Sequence, residues 1–197
     1  MAFIKFIIRL LLTIGLCWVF YFKTGPLPPL GSFFSPYQGF WQNAEPVSDG
    51  SDELLQFDAL SGPARILYDK REVPHIFASN PEDLFFLQGY VTAKFRLWQM
   101  DMQARVAGGR LSEVLGESML ERDRESRRLG LKWGASRTLA ATMANPETRM
   151  ILTRYTAGVN AYIASLKPKD FPLEYKLLDF EPEAWTPMKT ALLLKYM

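Results

Sequence analysis

A fully signalled long helix lies within residues 73–116, and it constrains the fold of this chain more than any other stretch. Asn80-Pro81-Glu82-Asp83 reads as a helix start: a side chain able to cap, proline at the first helical position, then two carboxylates facing the positive end of the helix dipole. Leu84, Leu87, Val91, Phe95, Trp98, Met102 and Val106 then recur in steps of three or four, which places them on one helical face. Gly108-Gly109 supplies the stop. Helix physics alone predicts a buried helix here and no chemistry.

Four motifs in and around this helix carry a resemblance. They are Val73-Pro74-His75-Ile76, Gly89-Tyr90-Val91, Arg96-Leu97-Trp98-Gln99-Met100, and Gly109-Arg110-Leu111-Ser112-Glu113-Val114-Leu115-Gly116. Together, and in this order, they resemble the opening of the small (α) subunit of penicillin acylases, amide hydrolases of the N-terminal-nucleophile class. The resemblance covers residues 64–197. Gly158-Val159-Asn160-Ala161, Glu183-Ala184-Trp185-Thr186-Pro187, and Asp123 followed by Arg127-Arg128-Leu129-Gly130 extend it. The resemblance implies an α+β fold: a mainly helical α-subunit part of an αββα sandwich, preceded here by an N-terminal transmembrane helix.

The chain departs from the family pattern at three places. Lys94-Phe95 stands where Gln-Asp is usual before the arginine of the long helix. Glu72 replaces the glycine before Val-Pro-His, and Tyr68 replaces an arginine at the strand end. The missing acid beside Arg96 predicts an unpaired charge, costly if buried.

Residues 1–22 are mostly apolar, with Lys5 and Arg9 ahead of an uncharged run. A basic start followed by such a run is a signal-anchor or signal-peptide pattern. No small-x-small cleavage site precedes Gly25, so the reading is an uncleaved anchor, with a cleaved leader as the alternative. Trp18, Tyr21 and Phe22 are placed to sit at the far interface. The anchored reading puts the chain on the bacterial inner membrane with its domain on the periplasmic side. Residues 24–37, rich in proline and glycine, show no helical or strand period and read as linker; residues 38–50 are irregular, and 51–61 lead into the domain. The expected boundaries are therefore 1–23 for the anchor, 24–63 for the linker and lead-in, and 64–197 for a partial acylase-like domain.

Within that domain, residues 64–68 and 74–78 flank a polar turn and predict a β-hairpin. Leu111 to Leu115 predicts one turn of helix closed by Gly116. Residues 117–129 mix Glu121, Asp123 and Glu125 with Arg122, Arg124 and Arg128 at helical spacing, which predicts a solvated helix laced by ion pairs. The family motif at Asp123 and Arg127 predicts a structural ion pair. Asn145-Pro146 and Thr186-Pro187 repeat the cap seen at Asn80. The helix after Asn145 carries Leu152, Tyr155, Val159, Tyr162 and Leu166 on one face, and residues 167–187 read as a packed connector. The last helix runs from Met188 to Met197 without a C-cap, which predicts a fragment of a precursor or a truncated frame.

Composition excludes several functions. A net charge of +2 with paired basic residues points away from nucleic acid. One cysteine and one histidine exclude a disulfide framework and the usual zinc spacings. The resemblance places the nucleophile on a second chain, where an N-terminal serine uses its own amine as base. No catalytic, cofactor-binding or metal-binding residue is therefore assigned to this chain, although calcium is possible in the complete protein. His75 is expected to fix the strand-to-helix turn rather than to build a serine triad. Glu82-Asp83 fits the helix dipole better than glycosidase chemistry. Trp98 and Met102 are expected to share one face, with Met100 pointing elsewhere, beside an apolar surface that a catalytic β subunit covers. The expected function is the N-terminal part of an amidohydrolase that cleaves linear amide bonds between an acyl group and an amine, of β-lactam or acyl-homoserine-lactone type. The alternative is a truncated, inactive, membrane-anchored helical module.

Overall fold

The computed structural model describes residues 2–24, 27–44 and 54–197. Gly25, Pro26 and residues 45–53, parts of the expected linker and lead-in, lie outside the described residues. In chain order the elements are α1 (Ala2–Tyr21), α2 (Leu30–Phe33), β1 (Arg65–Tyr68), β2 (Pro74–Phe77), α3 (Pro81–Gly108), α4 (Ser112–Leu115), α5 (Leu120–Arg128), α6 (Leu131–Ala144), α7 (Pro146–Ser165), α8 (Leu173–Leu178) and α9 (Pro187–Tyr196). They divide into two compact units, one of Met1–Ser48 with Leu166–Glu181 and the other of Asp49–Ser165 with Pro182–Met197.

In the first unit α1 is a 20-residue apolar helix, long and apolar enough over Phe3–Tyr21 to cross a membrane. Its side chains are exposed almost throughout. The stretch read as linker holds more structure than its prolines suggest: one turn of helix at α2 and a 3-10 turn over Phe40–Asn43. Residues 166–181 join this unit through α8, whose Tyr175 is 1% exposed.

In the second unit β1 and β2 pair antiparallel, with Arg65 opposite Phe77 and Tyr68 opposite Pro74. The turn between them places Glu72 at φ 59, a left-handed conformation that glycine adopts more readily. This gives a physical meaning to the glycine expected at that position.

The long helix α3 starts as its sequence predicts. Asn80 accepts a hydrogen bond from the Asp83 N–H, and Pro81 opens the first turn. It ends at Gly109, whose φ of 62 permits the αL cap. A Cβ there would stand 2.8 Å from Arg127 Cγ and from the Asp123 carbonyl oxygen, so space as well as conformation calls for glycine.

The buried face of α3 keeps Leu87 and Val91 of the expected stripe and otherwise differs from it. Phe86, Tyr90, Ala93, Leu97, Met100, Ala104 and Ala107 are buried, whereas Phe95 is 51% exposed and Trp98 and Met102 are only half-buried. Met100, expected to point away, belongs to the core with Ala93, Ala104, Val159 and Trp185. The cause is the company α3 keeps. It crosses α7 where a Cβ on Gly89 would lie 2.1 Å from the Tyr155 carbonyl oxygen and one on Gly158 would lie 1.8 Å from that of Phe86. So close a crossing selects small side chains, and the larger apolar residues are displaced to the flank. Arg96, where the helix is locally kinked (φ −137, ψ 16), is exposed, so the penalty that would attend its burial does not arise.

α9 packs against α3 and α6 through Ala107, Ala135, Ala191 and Leu192. Its Thr186 cap accepts from the Lys189 N–H. Asn145 caps α7 by accepting from the Glu147 and Thr148 N–H groups.

Candidate functional site

At the C-terminal end of α3 a group of charged side chains is taken out of water. Asp101 and Arg105, four residues apart on the core face, are 2% and 3% exposed. Arg105 Nε donates to Asp101 Oδ2 at 3.1 Å, while its terminal nitrogens reach Glu113 at 3.2 Å and Glu183 at 2.8 Å. Lys189 from α9, also buried, lies 3.4 Å from Asp101 Oδ1 and 3.2 Å from Glu183 Oε2. Arg110 completes the set, binding Glu113 at 2.7 Å and Glu183 at 2.8 Å. Three cations face three carboxylates, so the group is neutral, which makes the burial of Asp101, Arg105 and Lys189 tolerable, while Arg110, Glu113 and Glu183 form its solvent-facing side.

The same contacts set the ionisation of the outer members. For Glu113 the Arg110 hydrogen bond is the largest influence, and it lowers the carboxyl below its usual range. Burial pushes Glu183 upward, but hydrogen bonds from Arg110 and Lys189 and the charges of Lys189 and Arg105 outweigh it and hold the group at about 2. Arg110 is raised, chiefly by its bonds to Glu113 and Glu183.

Two further carboxylates act as backbone clamps. Asp83, fully buried, accepts from the Ser61 and Gly62 N–H groups, from Asn80 Nδ2 and from Arg154 at 3.1 Å. Burial raises its pKa, and these donors together bring it below the ordinary value. The expected dipole role of Glu82-Asp83 thus belongs to an exposed Glu82 and a buried Asp83 that ties the lead-in to α3 and α7. Asp123 accepts from the Leu111 and Ser112 N–H groups and from Ser112 Oγ, capping α4. Burial pushes it up, and the Ser112 hydroxyl and the two amides bring it down. Arg127 donates instead to the Gly109 carbonyl at 2.7 Å and 3.0 Å, so the pair expected from the motif works mainly through backbone groups. The exposed charges of α5 do pair as expected, Glu121 with Arg124 and Arg128, and Arg122 with Glu125.

Asn160 ties two motifs together. Its Oδ1 accepts from the Trp185 N–H at 2.7 Å and its Nδ2 donates to the Trp185 carbonyl at 3.0 Å. The Trp185 ring is 2% exposed and its N–H donates to Thr190. Asp101, Arg105, Arg154 and Lys189 were not singled out by sequence reasoning. The one signal for them was an acid–base pair at i,i+4 on a helix face of small apolar residues.

His75 sits on β2 with Nε2 3.8 Å from Asp69 Oδ2, both exposed to solvent. It therefore spans the hairpin turn, rather than the strand-to-helix turn expected of it. Ser112 Oγ is given to Asp123, and Ser136 and Ser165 bond carbonyls of their own helices, so these hydroxyls do not assemble with His75. Among the described residues no three His, Cys, Asp or Glu side chains converge as a metal site. The exposed apolar surface expected near Trp98 lies instead on the hairpin and the middle of α3: Leu67, Tyr68, Val73, Phe77 and Phe95, with the Tyr68 and Phe95 rings 5.8 Å apart.

This helical frame is similar to that of a solved acylase. A solved thermostable penicillin G acylase from Alcaligenes faecalis superposes with a TM-score of 0.60 at 31% identity, over 66% of this chain and 69% of that one. The chain belongs to the penicillin amidase family, whose sequence model matches residues 63–197. Its relatives include a penicillin acylase 2 proenzyme from Pseudomonas sp. (strain SE83), 40% identical over 78% of this chain, and penicillin G acylase from Escherichia coli, 32% identical over 68%. An acyl-homoserine lactone acylase from Pseudomonas syringae pv. tomato is 37% identical over 64%. The chain spans only 19%, 16% and 15% of the lengths of these three relatives.

Proposed function

We propose that this chain is the N-terminal, non-catalytic part of a membrane-anchored amidohydrolase that cleaves linear amide bonds between an acyl group and an amine. The observation that carries the reading is the neutral group of Asp101, Arg105, Lys189, Glu183, Arg110 and Glu113, buried at Asp101, Arg105 and Lys189 and open to solvent at the other three. It locks the Gly109-to-Gly116 motif to the Glu183-to-Pro187 motif. Such a group builds a frame. The reacting serine, its free amine and the oxyanion donors belong to a second chain from the same precursor. The complete fold is then the αββα sandwich, and the exposed hairpin with Phe95 is the face on which the catalytic β subunit docks. α1 anchors the assembly in the bacterial inner membrane with the domain on the periplasmic side. The substrates are small acyl amides of β-lactam or acyl-homoserine-lactone type, the classes named in its relatives. Calcium in the complete protein would be held by residues outside this chain.

The experiment is to express this chain with the coding region that follows codon 197 and to look by mass spectrometry for a second chain beginning with serine. A co-purifying chain that releases amine from acyl amides supports the reading. A reading frame that closes with no partner chain overturns it and leaves the inactive anchored helical module.

A further inference from the structure

The first compact unit carries a surface that the acylase reading leaves unexplained. α1 has 20 residues, and at a rise of about 1.5 Å each it is about as long as a bilayer's hydrocarbon core is thick. Trp18, Tyr21 and Phe22 close its far end. The chain then stays close to that end. Thr24 and Leu27 bond to each other through their main chains, and α2 packs on the last turn of α1 so tightly that a Cβ on Gly31 would lie 2.8 Å from the Phe20 carbonyl oxygen. Phe33, Phe34, Phe40 and Trp41 follow as one ring cluster, with centroids 4.2 to 5.6 Å apart.

Residues 166–181, far away in sequence, are fastened to this cluster. Lys176 Nζ donates to the Gly39 carbonyl at 3.0 Å and to Asn43 Oδ1 at 2.7 Å. Asn43 Nδ2 donates to the Phe171 carbonyl at 2.9 Å, and Lys23 Nζ donates to the Leu178 carbonyl. The exit of α1, the segment after it and α8 thus form one body. Its outer surface shows Phe34 at 48%, Tyr37 at 81% and Trp41 at 58% exposure. Tyrosine and tryptophan combine an apolar ring with a polar tip, and both are enriched where a membrane meets water.

We propose that residues 27–44 and 166–181 form a collar seated in the lipid headgroup region at the far end of α1, with Phe34, Tyr37 and Trp41 as its interfacial anchors. The proposal rests on the reading of α1 as a membrane-inserted helix and goes beyond it, because a lone span puts only α1 in lipid whereas a collar adds residues 27–44 and 166–181 to the membrane contact. Lipid is the occupant because the patch continues directly from a helix whose side chains are already exposed along their whole length.

The test uses the full chain in vesicles of phosphatidylethanolamine and phosphatidylglycerol. An environment-sensitive fluorophore is attached at native Cys17, or, in a Cys17→Ser background, at Tyr37→Cys, Trp41→Cys or Leu129→Cys. Leu129 is 69% exposed on the second unit, and its label, once full quenching by aqueous iodide has shown it to be in water, serves as the water reference. Nitroxides on the headgroup or mid-chain report depth. Blue-shifted emission at 37 and 41, quenched by the headgroup nitroxide several-fold more than at 129, supports the collar, with Cys17 quenched by the mid-chain nitroxide. If 37 and 41 behave like 129 while Cys17 reports lipid, the collar is refuted and the anchor stands. If Cys17 also reports water, the anchor reading fails and the collar fails with it. Because positions 37 and 41 are exposed, their substitution leaves the buried Tyr175 and Lys176 contacts in place, and unchanged far-UV circular dichroism verifies this.

Discussion

Replacing Gly158 with alanine tests the crossing of α3 and α7. The added Cβ would stand 1.8 Å from the Phe86 carbonyl oxygen, 2.8 Å from its carbon and 2.9 Å from the Tyr90 nitrogen. A carbon–oxygen contact settles at about 3.3 Å or more, so the helices must part by about 1.5 Å. All three neighbours are backbone atoms within helix α3, and none can swing aside as a side-chain end could. Parting the helices loosens Ala93 and Val159, both 0% exposed. Overpacking of this kind costs about 3 kcal/mol at the upper end of its usual range. Alanine inside a helix returns about 1 kcal/mol relative to glycine. The net expectation is a loss of about 2 kcal/mol, which at a typical urea dependence lowers the unfolding midpoint by about 1 M. Gly134 in α6 is the control, because a Cβ there would meet only Lys195 side-chain carbons at 3.8 and 3.9 Å. Gly134→Ala should gain about 0.5–1 kcal/mol. Urea unfolding of the detergent-solubilised chain, followed by far-UV circular dichroism, reads both. Equal midpoints for Gly158→Ala and the parent, or a loss with Gly134→Ala as large as that with Gly158→Ala, would refute the reasoning.

Arg105→Leu removes the cation 3.1 Å from the buried Asp101 and should cost about 3–5 kcal/mol in urea unfolding. Arg105→Lys, which keeps the charge, should lose less. Glu72→Gly relieves a left-handed residue at φ 59. The relief of about 1–2 kcal/mol exceeds the entropy that glycine adds to the unfolded chain, so the thermal midpoint should rise. The depressed carboxylates predict acid sensitivity. Glu183 titrates at about 2 when folded against an ordinary 4.5, so its stabilising contribution is complete above pH 4.5 and is lost as pH falls toward 2. Asp83, Asp123 and Glu113, also lowered, act in the same direction. Glu183→Gln should flatten the pH dependence of the urea midpoint between pH 4.5 and 2; an unchanged slope would count against the network.

Local chemistry was legible in the sequence where one residue type answers one need. The caps at Asn80 and Thr186 and the stop at Gly109 sit where their residues place them, and the hairpin and the short turn closed by Gly116 formed where predicted. Faces were less legible. The core side of α3 is built partly of Ala93, Ala104 and Ala107, whose weak hydrophobic signal was drowned by Phe95 and Trp98 on the flank. The charged group around Arg105 was hidden for another reason. Its members come from α3, the segment after it, α4, the connector before α9 and α9 itself, and only folding brings Glu183 and Lys189 within 3.5 Å of Arg105 and Asp101. Family membership was readable because it needs only ordered motifs, while the grouping of residues 166–181 with the N-terminal segment depends on contacts that no local pattern announces.

The hairpin has a practical consequence for making this protein. Among the described residues β1 and β2 pair only with each other, so each keeps an open edge there, flanked by Leu67, Tyr68 and Phe77 at 44–52% exposure. An open edge with apolar side chains is a template for strands from other copies. Produced at high concentration without a covering chain, the protein is expected to form intermolecular sheet and precipitate, with the amide I band of the precipitate moving toward that of cross-β material. Charged substitutions at Leu67 and Phe77 would then act as solubility tags built into the fold.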